Sequence, residues 1–485
     1  MSNNQINREL IINTLWSFFG RFGYLIVALI SNIILVRLLS PEEFGQASIV
    51  LFFVIIANIL VESGLSGALV RNQKAEDIDY STVFIFNLVI SVILMLMLIA
   101  GSTYIAKFYD DDSLISLVKI SSLILLINAF RIVQYVRLIK DLNFKAKSIY
   151  EIIAITVGSI VAILAAINGA GASSLVILQL TTATVLTVIL WVSVGPLTSF
   201  RFSWNSFRKV YSFGINTTLS LLIDKVFDNS YQLIFAKYFT MSQAGFFYQA
   251  KKLQEMPMGV IQGSVLGVVF ATLCKVQDNK NKFNQLYSQV VRIFTVAVAL
   301  ICLIIFLYAN LIVETLYGHN WITSATYLKI LITAAFFYFQ EIFNRIVFKV
   351  FDRTDVILKL EILKKIFLTL TIIYGIYTSN ISNLLYGFAI TSVFSFCLNY
   401  YFSRAIHDFD HFWTEFIIVL KVFSISVITI TFGLYLIDSL MWQGFYQLFS
   451  LPFVILAYLL LLQLMRVMDL HKDITLFKEF FKKEL

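Results

Sequence analysis

The chain has 485 residues, of which 59% are hydrophobic and 14% are charged, and its formal net charge is +8. Ordinary soluble domains carry charge on roughly a quarter of their residues, so water is not the main solvent of this chain. A soluble protein of this length would also show polar linkers between domains, and no Pro-, Ser- or charge-rich stretch is present. The composition excludes a set of soluble catalytic domains and indicates one integral membrane protein.

Long uncharged stretches predict an all-α, polytopic membrane protein. About 20 apolar residues cross the hydrocarbon core as a helix, and residues 82–106, 152–200 and 293–313 contain no charged side chain. The stretch 152–200 is long enough to cross twice, with a turn at residues 168–174. Over the whole chain the pattern predicts about 14 transmembrane helices, near residues 11–36, 41–70, 82–106, 114–136, 149–168, 173–197, 210–239, 241–274, 287–313, 322–348, 357–379, 381–403, 412–437 and 446–466.

The basic residues predict the orientation, because Lys and Arg accumulate in the cytoplasmic loops of membrane proteins. With a cytoplasmic N-terminus, most of the 37 basic residues fall in inner loops and tails, and the outer loops hold only Arg37, Lys107 and Lys237. An even number of crossings places both termini in the cytoplasm. Because topology accounts for the positive charge, we predict no nucleic-acid partner.

Motifs for metal, redox or nucleotide chemistry are weak. Two histidines, His407 and His411, stand four residues apart, a spacing that on a helix could hold a metal, but we interpret them as part of a hydrated loop beside Asp408 and Asp410. No Gly-rich phosphate loop, Walker lysine or Ser-His-Asp grouping occurs. The cysteines lie too far apart for a disulfide framework; they are Cys274, Cys302 and Cys397. The sequence therefore predicts a protein that is not an enzyme and holds no cofactor.

An internal repeat appears when the chain is compared with itself. The segment ILVRLLSPEEFG at residues 34–45 falls on IFAKYFTMSQAG at residues 234–245, so that Gly45 matches Gly245. Both copies contain a hydroxyl followed three residues later by Glu or Gln, which is the pattern of a helix capping box. Six predicted helices separate the copies, and this even number predicts two halves in one orientation, related by an axis normal to the membrane.

The run RLLSPEEFG at residues 37–45, which follows a helix containing Trp16 and Arg21, resembles the start of the bacterial polysaccharide transporters. These Wzx-like flippases belong to the multidrug, oligosaccharidyl-lipid and polysaccharide exporter superfamily. The likeness extends along nearly the whole chain through helix number, orientation and repeat. It implies six-helix lobes at residues 1–205 and 206–405, followed at 406–485 by two appended helices and a cytoplasmic tail.

This resemblance implies a function in the bacterial cytoplasmic (inner) membrane. Members of the resembled family flip an undecaprenyl-pyrophosphate-linked oligosaccharide from the cytoplasmic to the outer leaflet, through a central cavity that two lobes expose alternately. The implied cargo is a unit of capsule, exopolysaccharide, O-antigen or teichuronic acid. The implied partners are this lipid-linked substrate, membrane lipids, and a polysaccharide polymerase with its glycosyltransferases.

Polar stripes at membrane depth identify candidate site residues, because ionisable groups there are expensive and usually face a cavity. Predicted helices 1, 2, 7 and 8, the two matched pairs of the repeat, carry such stripes. Cationic donors in a low dielectric suit a pyrophosphate, and tyrosines suit sugars. The predicted substrate-binding residues are Arg21, Tyr24, Lys225, Tyr231, Tyr248, Lys251 and Lys252. The residues predicted to form ion pairs or to bind a coupling H⁺ or Na⁺ are Glu62, Asp224, Asp228 and Glu255.

Other interpretations of the same residues stay open. The charged side chains could form interhelical salt bridges without a ligand, or Lys251 and Lys252 could reach the outer interface. A drug/cation antiporter would share the fold, although helix 1 offers Arg21 and no carboxylate. A membrane polysaccharide polymerase is the enzymatic alternative, but it would need a larger outer loop than residues 314–320.

Charges on other predicted helices are secondary. Arg131 and Arg292 lie in helices 4 and 9, and Glu341 and Arg345, four residues apart on helix 10, are predicted to form a structural pair. Pro257 inside helix 8 removes a backbone hydrogen bond, and we predict a kink that could act as a hinge.

Overall fold

The computed structural model describes residues 3–62, 64–72, 74–197, 199–407, 412–442 and 444–468. In these residues the chain forms α-helices, with two short 3₁₀ segments and no strand. The helices are α1 (Asn3–Leu38), α2 (Pro41–Glu62), α3 (Leu65–Arg71), α4 (Asp77–Tyr109), α5 (Ser113–Lys140), α6 (Phe144–Ile167), α7 (Ser173–Val194), α8 (Trp204–Tyr238), α9 (Met241–Lys275), α10 (Lys280–Leu307), α11 (Ala309–Tyr317), α12 (Ile322–Val350), α13 (Thr354–Tyr377), α14 (Ile381–His407), α15 (Phe412–Ser439) and α16 (Leu451–Leu464).

Each predicted membrane helix has a helical counterpart, and two of them are interrupted. Predicted helix 2 divides into α2 and α3 because Gly64 adopts a left-handed conformation with φ 62°, which glycine tolerates at little cost. Predicted helix 9 divides at Tyr308 into α10 and α11. Several helices also begin before the predicted residue, since polar turns outside the hydrocarbon core remain helical.

Membrane-spanning character is clear for most of these helices. Among the described residues, 11 helices are long and apolar enough to cross a membrane. The helices α8, α9 and α13, which carry charged side chains along their length, are not among them. The predicted number of 14 crossings therefore stays a prediction.

The chain divides into two compact units, residues 1–248 and 249–485, and the division falls within α9. The lobe boundaries at residues 205 and 405 are expected from the repeat and the family resemblance, and they stay a prediction. The two units are described separately below.

Small residues allow close helix packing in the first unit, as in membrane helix pairs generally. Gly20 on α1 lies against Ser148 on α6, and Gly158 on α6 lies against Thr182 on α7, so closely that a Cβ atom would overlap its neighbour. The Ser148 hydroxyl donates to the carbonyl oxygen of Trp16 at 3.0 Å. These contacts place α1, α6 and α7 side by side.

Aromatic side chains fill the second unit. Its main cluster joins α10, α12, α14 and α15, and the ring centroids of Phe337 and Phe423 are 5.0 Å apart. Phe396 on α14 stacks on Phe416 of α15 with centroids 5.9 Å apart. Such rings bury large apolar areas and prefer these offset or tilted geometries.

A buried ionic network connects α12 with α13. Glu341 is completely buried, its carboxylate lies 2.7 Å from the Arg345 guanidinium and 3.0 Å from the Lys364 ammonium, and Arg345 also pairs with Glu361. The predicted Glu341–Arg345 pair is confirmed. Sequence spacing did not predict that Lys364 and Glu361 join this pair, because both residues lie on a different helix, α13. Two acids and two bases balance, which allows a charged helix to pack against an apolar neighbour.

Removing one member of this network should destabilise the protein strongly. Glu341→Ala leaves the partly buried side chains of Lys364 and Arg345 without the carboxylate they share, and breaking a buried pair in this way costs about 3–5 kcal/mol. The matched control is Asp355→Ala, which breaks a half-exposed pair with Arg353. Chemical unfolding in detergent should show a large loss of unfolding free energy for Glu341→Ala and little for the control. Equal losses would contradict a structural role for the network.

Candidate functional site

A polar cavity of about 740 Å³ lies within the first unit, among α1, α2, α3, α5, α6 and α7. Its charged lining residues are Arg21, Arg131, Lys147, Glu62 and Glu151. Basic groups outnumber acidic groups by one. An anionic ligand is therefore the better electrostatic match for this space.

Helices α1, α2 and α3 form one wall of the polar cavity. On α1, Ser17, Arg21 and Tyr24 follow at steps of four and three residues and so share one face. On α2, Glu62 is the last helical residue, and the break at Gly64 turns the chain so that Ser66 of α3 lines the same space.

The opposite wall is a hydrogen-bonded group on α5 and α6. The Tyr135 hydroxyl donates to one carboxylate oxygen of Glu151 at 2.6 Å, and the Lys147 ammonium donates to the other at 3.0 Å. The same ammonium lies 5.6 Å from the centre of the Tyr135 ring, within cation–π range. Both oxygens of Glu151 are therefore engaged, and the three side chains hold one another in place.

Arg131 lies one helical turn before Tyr135 and completes the charged surface. It is half-buried, and it interacts electrostatically with Glu62 and with Glu151. Its guanidinium and the Lys147 ammonium are thus balanced by carboxylates when no ligand is bound. A phosphate group could take over these charge-assisted hydrogen bonds.

The structure brings together three of the predicted site residues. Arg21, Tyr24 and Glu62 line the polar cavity. On α8, Lys225 and Asp228 form a half-exposed ion pair of 3.8 Å, and Asp224 beside them is exposed.

The remaining predicted residues lie further along the chain, and none of them lines the polar cavity. Tyr231 is buried, and its ring stacks on Phe247 with centroids 6.1 Å apart. Tyr248 is half-buried at the end of the first unit. In the second unit Lys251 pairs with Glu255 at 3.6 Å and Lys252 is half-buried. Their roles in substrate binding or coupling stay predictions.

Sequence reasoning missed Tyr135, Lys147 and Glu151 and treated Arg131 as secondary. Lys147 was assigned to an inner loop because predicted helix 5 began at residue 149, whereas α6 begins at Phe144. The available signal was spacing: Arg131 and Tyr135, and likewise Lys147 and Glu151, stand four residues apart and share a helix face.

A metal site finds no support in the part of the chain that the structure describes, which contains no cluster of three His, Cys, Asp or Glu side chains. The spacing noted at His407 and His411 is not tested, since residues 408–411 lie outside the described residues.

A profile of the family described as "Polysaccharide biosynthesis protein" matches residues 34–326, more than half of the chain. The chain belongs to this family.

The chain is also similar to curated proteins. It is 25% identical over 309 residues to the succinoglycan biosynthesis transport protein ExoT of Rhizobium meliloti (strain 1021), covering 64% of this chain and 63% of that protein. It is 20% identical to the teichuronic acid biosynthesis protein TuaB of Bacillus subtilis (strain 168), covering 67% and 68%. The lipopolysaccharide biosynthesis protein WzxC of Escherichia coli (strain K12) is 18% identical, covering 82% and 81%.

Solved structures share the fold of this family member. The lipid II flippase MurJ in an inward closed conformation superposes with a TM-score of 0.73 at 15% identity, covering 94% of this chain and 98% of that chain. An inward-facing multidrug resistance MATE family transporter gives a TM-score of 0.54 at 16% identity, covering 80% and 96%. These likenesses concern the fold, and with the family match they confirm a multi-pass, all-α membrane protein.

The polar cavity should bind an anion of the pyrophosphate class. We expect inorganic pyrophosphate to raise the melting temperature of the purified protein, and Arg131→Ala to weaken that binding by about tenfold or more, because a charge-assisted hydrogen bond contributes about 1.5–3 kcal/mol. The control is Lys119→Ala, an exposed lysine on the same helix. Equal binding by both variants would remove Arg131 from the site.

Proposed function

We propose that the protein is a flippase that moves an undecaprenyl-pyrophosphate-linked oligosaccharide from the cytoplasmic to the outer leaflet of the bacterial cytoplasmic membrane. The observation that carries the proposal is the polar cavity, in which Arg21, Arg131 and Lys147 outnumber two carboxylates. A sugar pyrophosphate cannot cross hydrocarbon unaided, because both its charge and its hydroxyl groups would lose water. A cavity with basic and phenolic groups supplies replacement contacts.

Family membership and the names of the relatives support this cargo class. The relatives are named for succinoglycan biosynthesis transport, teichuronic acid biosynthesis and lipopolysaccharide biosynthesis, and the fold matches a protein titled lipid II flippase. Since the match covers 63% of ExoT, the activity of the whole chain is inferred by combining this likeness with the cavity. Capsule, exopolysaccharide, O-antigen and teichuronic acid units all share the required headgroup.

The proposed direction follows from the predicted orientation. With both termini in the cytoplasm, the charged residues of the polar cavity come from the middle of α1, the ends of α2 and α5 and the start of α6. The cavity therefore extends from the middle of the membrane toward its cytoplasmic side. The cavity would load its headgroup from the cytoplasmic leaflet, where glycosyltransferases build it, and release it to a polymerase outside.

Transport rather than catalysis is proposed, with no cofactor and with H⁺ or Na⁺ as the coupling ion. When a pyrophosphate engages Arg131 and Lys147, their carboxylate partners Glu62 and Glu151 lose a positive neighbour. A cation taken up by either carboxylate would restore the balance of charge. Asp224, Asp228 and Glu255 remain the other candidates for this coupling role.

An antiporter of drugs or cations is the second candidate. The carboxylates Glu62 and Glu151 in the polar cavity favour it, as does the fold shared with the MATE transporter. The excess of basic groups disfavours a cationic cargo. Deletion of the gene separates the two candidates, because a flippase mutant should accumulate lipid-linked oligosaccharide on the cytoplasmic leaflet and an antiporter mutant should become sensitive to drugs with normal glycolipid.

Replacing the cavity arginine of α1 should stop export. Arg21→Ala removes a phosphate partner, so surface polysaccharide should fall to the level of the deletion strain while the amount of protein in the membrane stays normal. Arg21→Lys keeps the charge and should restore part of the output. Full polymer production by Arg21→Ala would exclude Arg21 from the mechanism.

A further inference from the structure

The segment that leads into α8 presents aromatic and basic side chains to its surroundings. Residues 199–211 read SFRFSWNSFRKVY and contain no acidic residue. All of them belong to the first unit. We call six exposed side chains of this segment the linker patch: Phe200, Arg201, Phe202, Trp204, Arg208 and Lys209. The patch combines large apolar surfaces with three positive charges.

Hydrogen bonds fix the backbone of the linker patch against the start of α4. The Arg201 amide donates to the Ser81 hydroxyl at 2.7 Å, and the Ser203 amide donates to the Thr82 hydroxyl at 3.0 Å. Both hydroxyl-bearing residues are completely buried. The side chains of the patch therefore stand on an ordered backbone, so that little ordering remains to be done when a ligand binds.

Ring contacts join the linker patch to the membrane helices. The ring of Phe207 lies 4.8 Å from that of Phe86 on α4 and 5.2 Å from that of Trp204, between centroids. The Arg208 guanidinium lies 5.8 Å from the centre of the Trp204 ring, within cation–π range. Because tryptophan favours the boundary between headgroups and hydrocarbon, this geometry holds a positive charge at that boundary.

A second exposed aromatic segment shows what an aromatic anchor looks like without charge. The 3₁₀ segment Gly444–Ser450 exposes Phe445, Tyr446 and Phe449, and residues 440–450 contain no Lys or Arg. Aromatic rings suit any membrane interface, whereas basic residues close to the surface attract anionic lipids. The three basic residues of the linker patch therefore add a preference for a negatively charged headgroup.

The acidic side chains at the start of α4, where the linker patch is anchored, have other partners. The Asp77 carboxylate lies 3.6 Å from the Arg137 guanidinium. The Asp79 carboxylate accepts from the Glu76 amide at 3.0 Å in the cap of α4. These carboxylates serve the local structure, and the linker patch keeps its positive character.

We propose that the linker patch binds an anionic phospholipid of the cytoplasmic leaflet. The lipid phosphate lies at the basic side chains, which supply charge-assisted hydrogen bonds, and the acyl chains lie beside the aromatic rings. The predicted orientation places the patch on the cytoplasmic side, between predicted helices 6 and 7. This inference does not depend on the proposed function, because no residue of the patch lines the polar cavity.

Quenching of Trp204 fluorescence by brominated lipids tests the lipid site. The full-length protein is placed in phosphatidylcholine vesicles that contain an increasing fraction of brominated phosphatidylglycerol or, in a parallel series, of brominated phosphatidylcholine. The signal of Trp204 is the difference between the unaltered protein and Trp204→Phe. Brominated phosphatidylglycerol should quench half of this signal at a fraction about tenfold lower than brominated phosphatidylcholine, because each basic residue adds to the attraction. Equal quenching by the two lipids overturns the site.

Removal of the positive charges should abolish the lipid preference. The test variant combines Arg201→Gln, Arg208→Gln and Lys209→Gln, and both lipids should then quench at the same fraction. The matched control removes three exposed lysines on the same predicted side of the membrane and should keep the preference; it combines Lys275→Gln, Lys280→Gln and Lys282→Gln. An equal loss in the control overturns the site, because the effect would then belong to the overall charge.

A competition experiment separates a phospholipid from the proposed cargo. An undecaprenyl-pyrophosphate-linked oligosaccharide, added at the same fraction as brominated phosphatidylglycerol, should leave the quenching of Trp204 unchanged. Loss of quenching would assign the linker patch to the lipid-linked oligosaccharide and overturn the phospholipid proposal. Failure of the flippase proposal in a transport assay would leave the quenching result as it is.

Discussion

A charged side chain inside a membrane protein needs either a partner of opposite charge or a water-filled cavity, and this requirement organises the structure. Glu341 has partners: Arg345 and Lys364 neutralise it completely in the interior of the second unit. The charges of the first unit meet the requirement differently, because Arg21, Glu62 and their neighbours surround an open space of about 740 Å³. The paired charges around Glu341 therefore have a structural role, whereas the charges around the cavity can interact with a ligand.

The same requirement applies to the proposed cargo. A pyrophosphate-linked sugar entering a low dielectric must find cations and hydrogen-bond partners that replace its water, and the polar cavity holds both in a preorganised form. Tyr135 and Lys147 are fixed by their shared acceptor Glu151, so little ordering remains to be done on binding.

Periodicity and charge were enough to predict the membrane class and nearly every helix, because both depend on the local sequence. The family was indicated by the resemblance of the run at residues 37–45. The site was predicted only in part. Arg21, Tyr24 and Glu62 were predicted because they interrupt apolar helices. Lys147 and Glu151 were missed because they lie near the start of α6, where the polar composition indicated a loop. Pairing between residues of different helices, such as Lys364 with Glu341, cannot be predicted from their spacing in the sequence. The repeat equated Gly45 with Gly245, but only the structure shows that they touch.

Reconstitution tests the central claim most directly. The purified protein is placed in liposomes that contain an undecaprenyl-pyrophosphate-linked oligosaccharide in both leaflets, and a membrane-impermeant glycosidase is added outside. If the protein is a flippase, nearly all of the oligosaccharide should become accessible to the enzyme, whereas liposomes containing Arg21→Ala should keep the inner-leaflet fraction protected. Protection of that fraction by the unaltered protein would contradict the account.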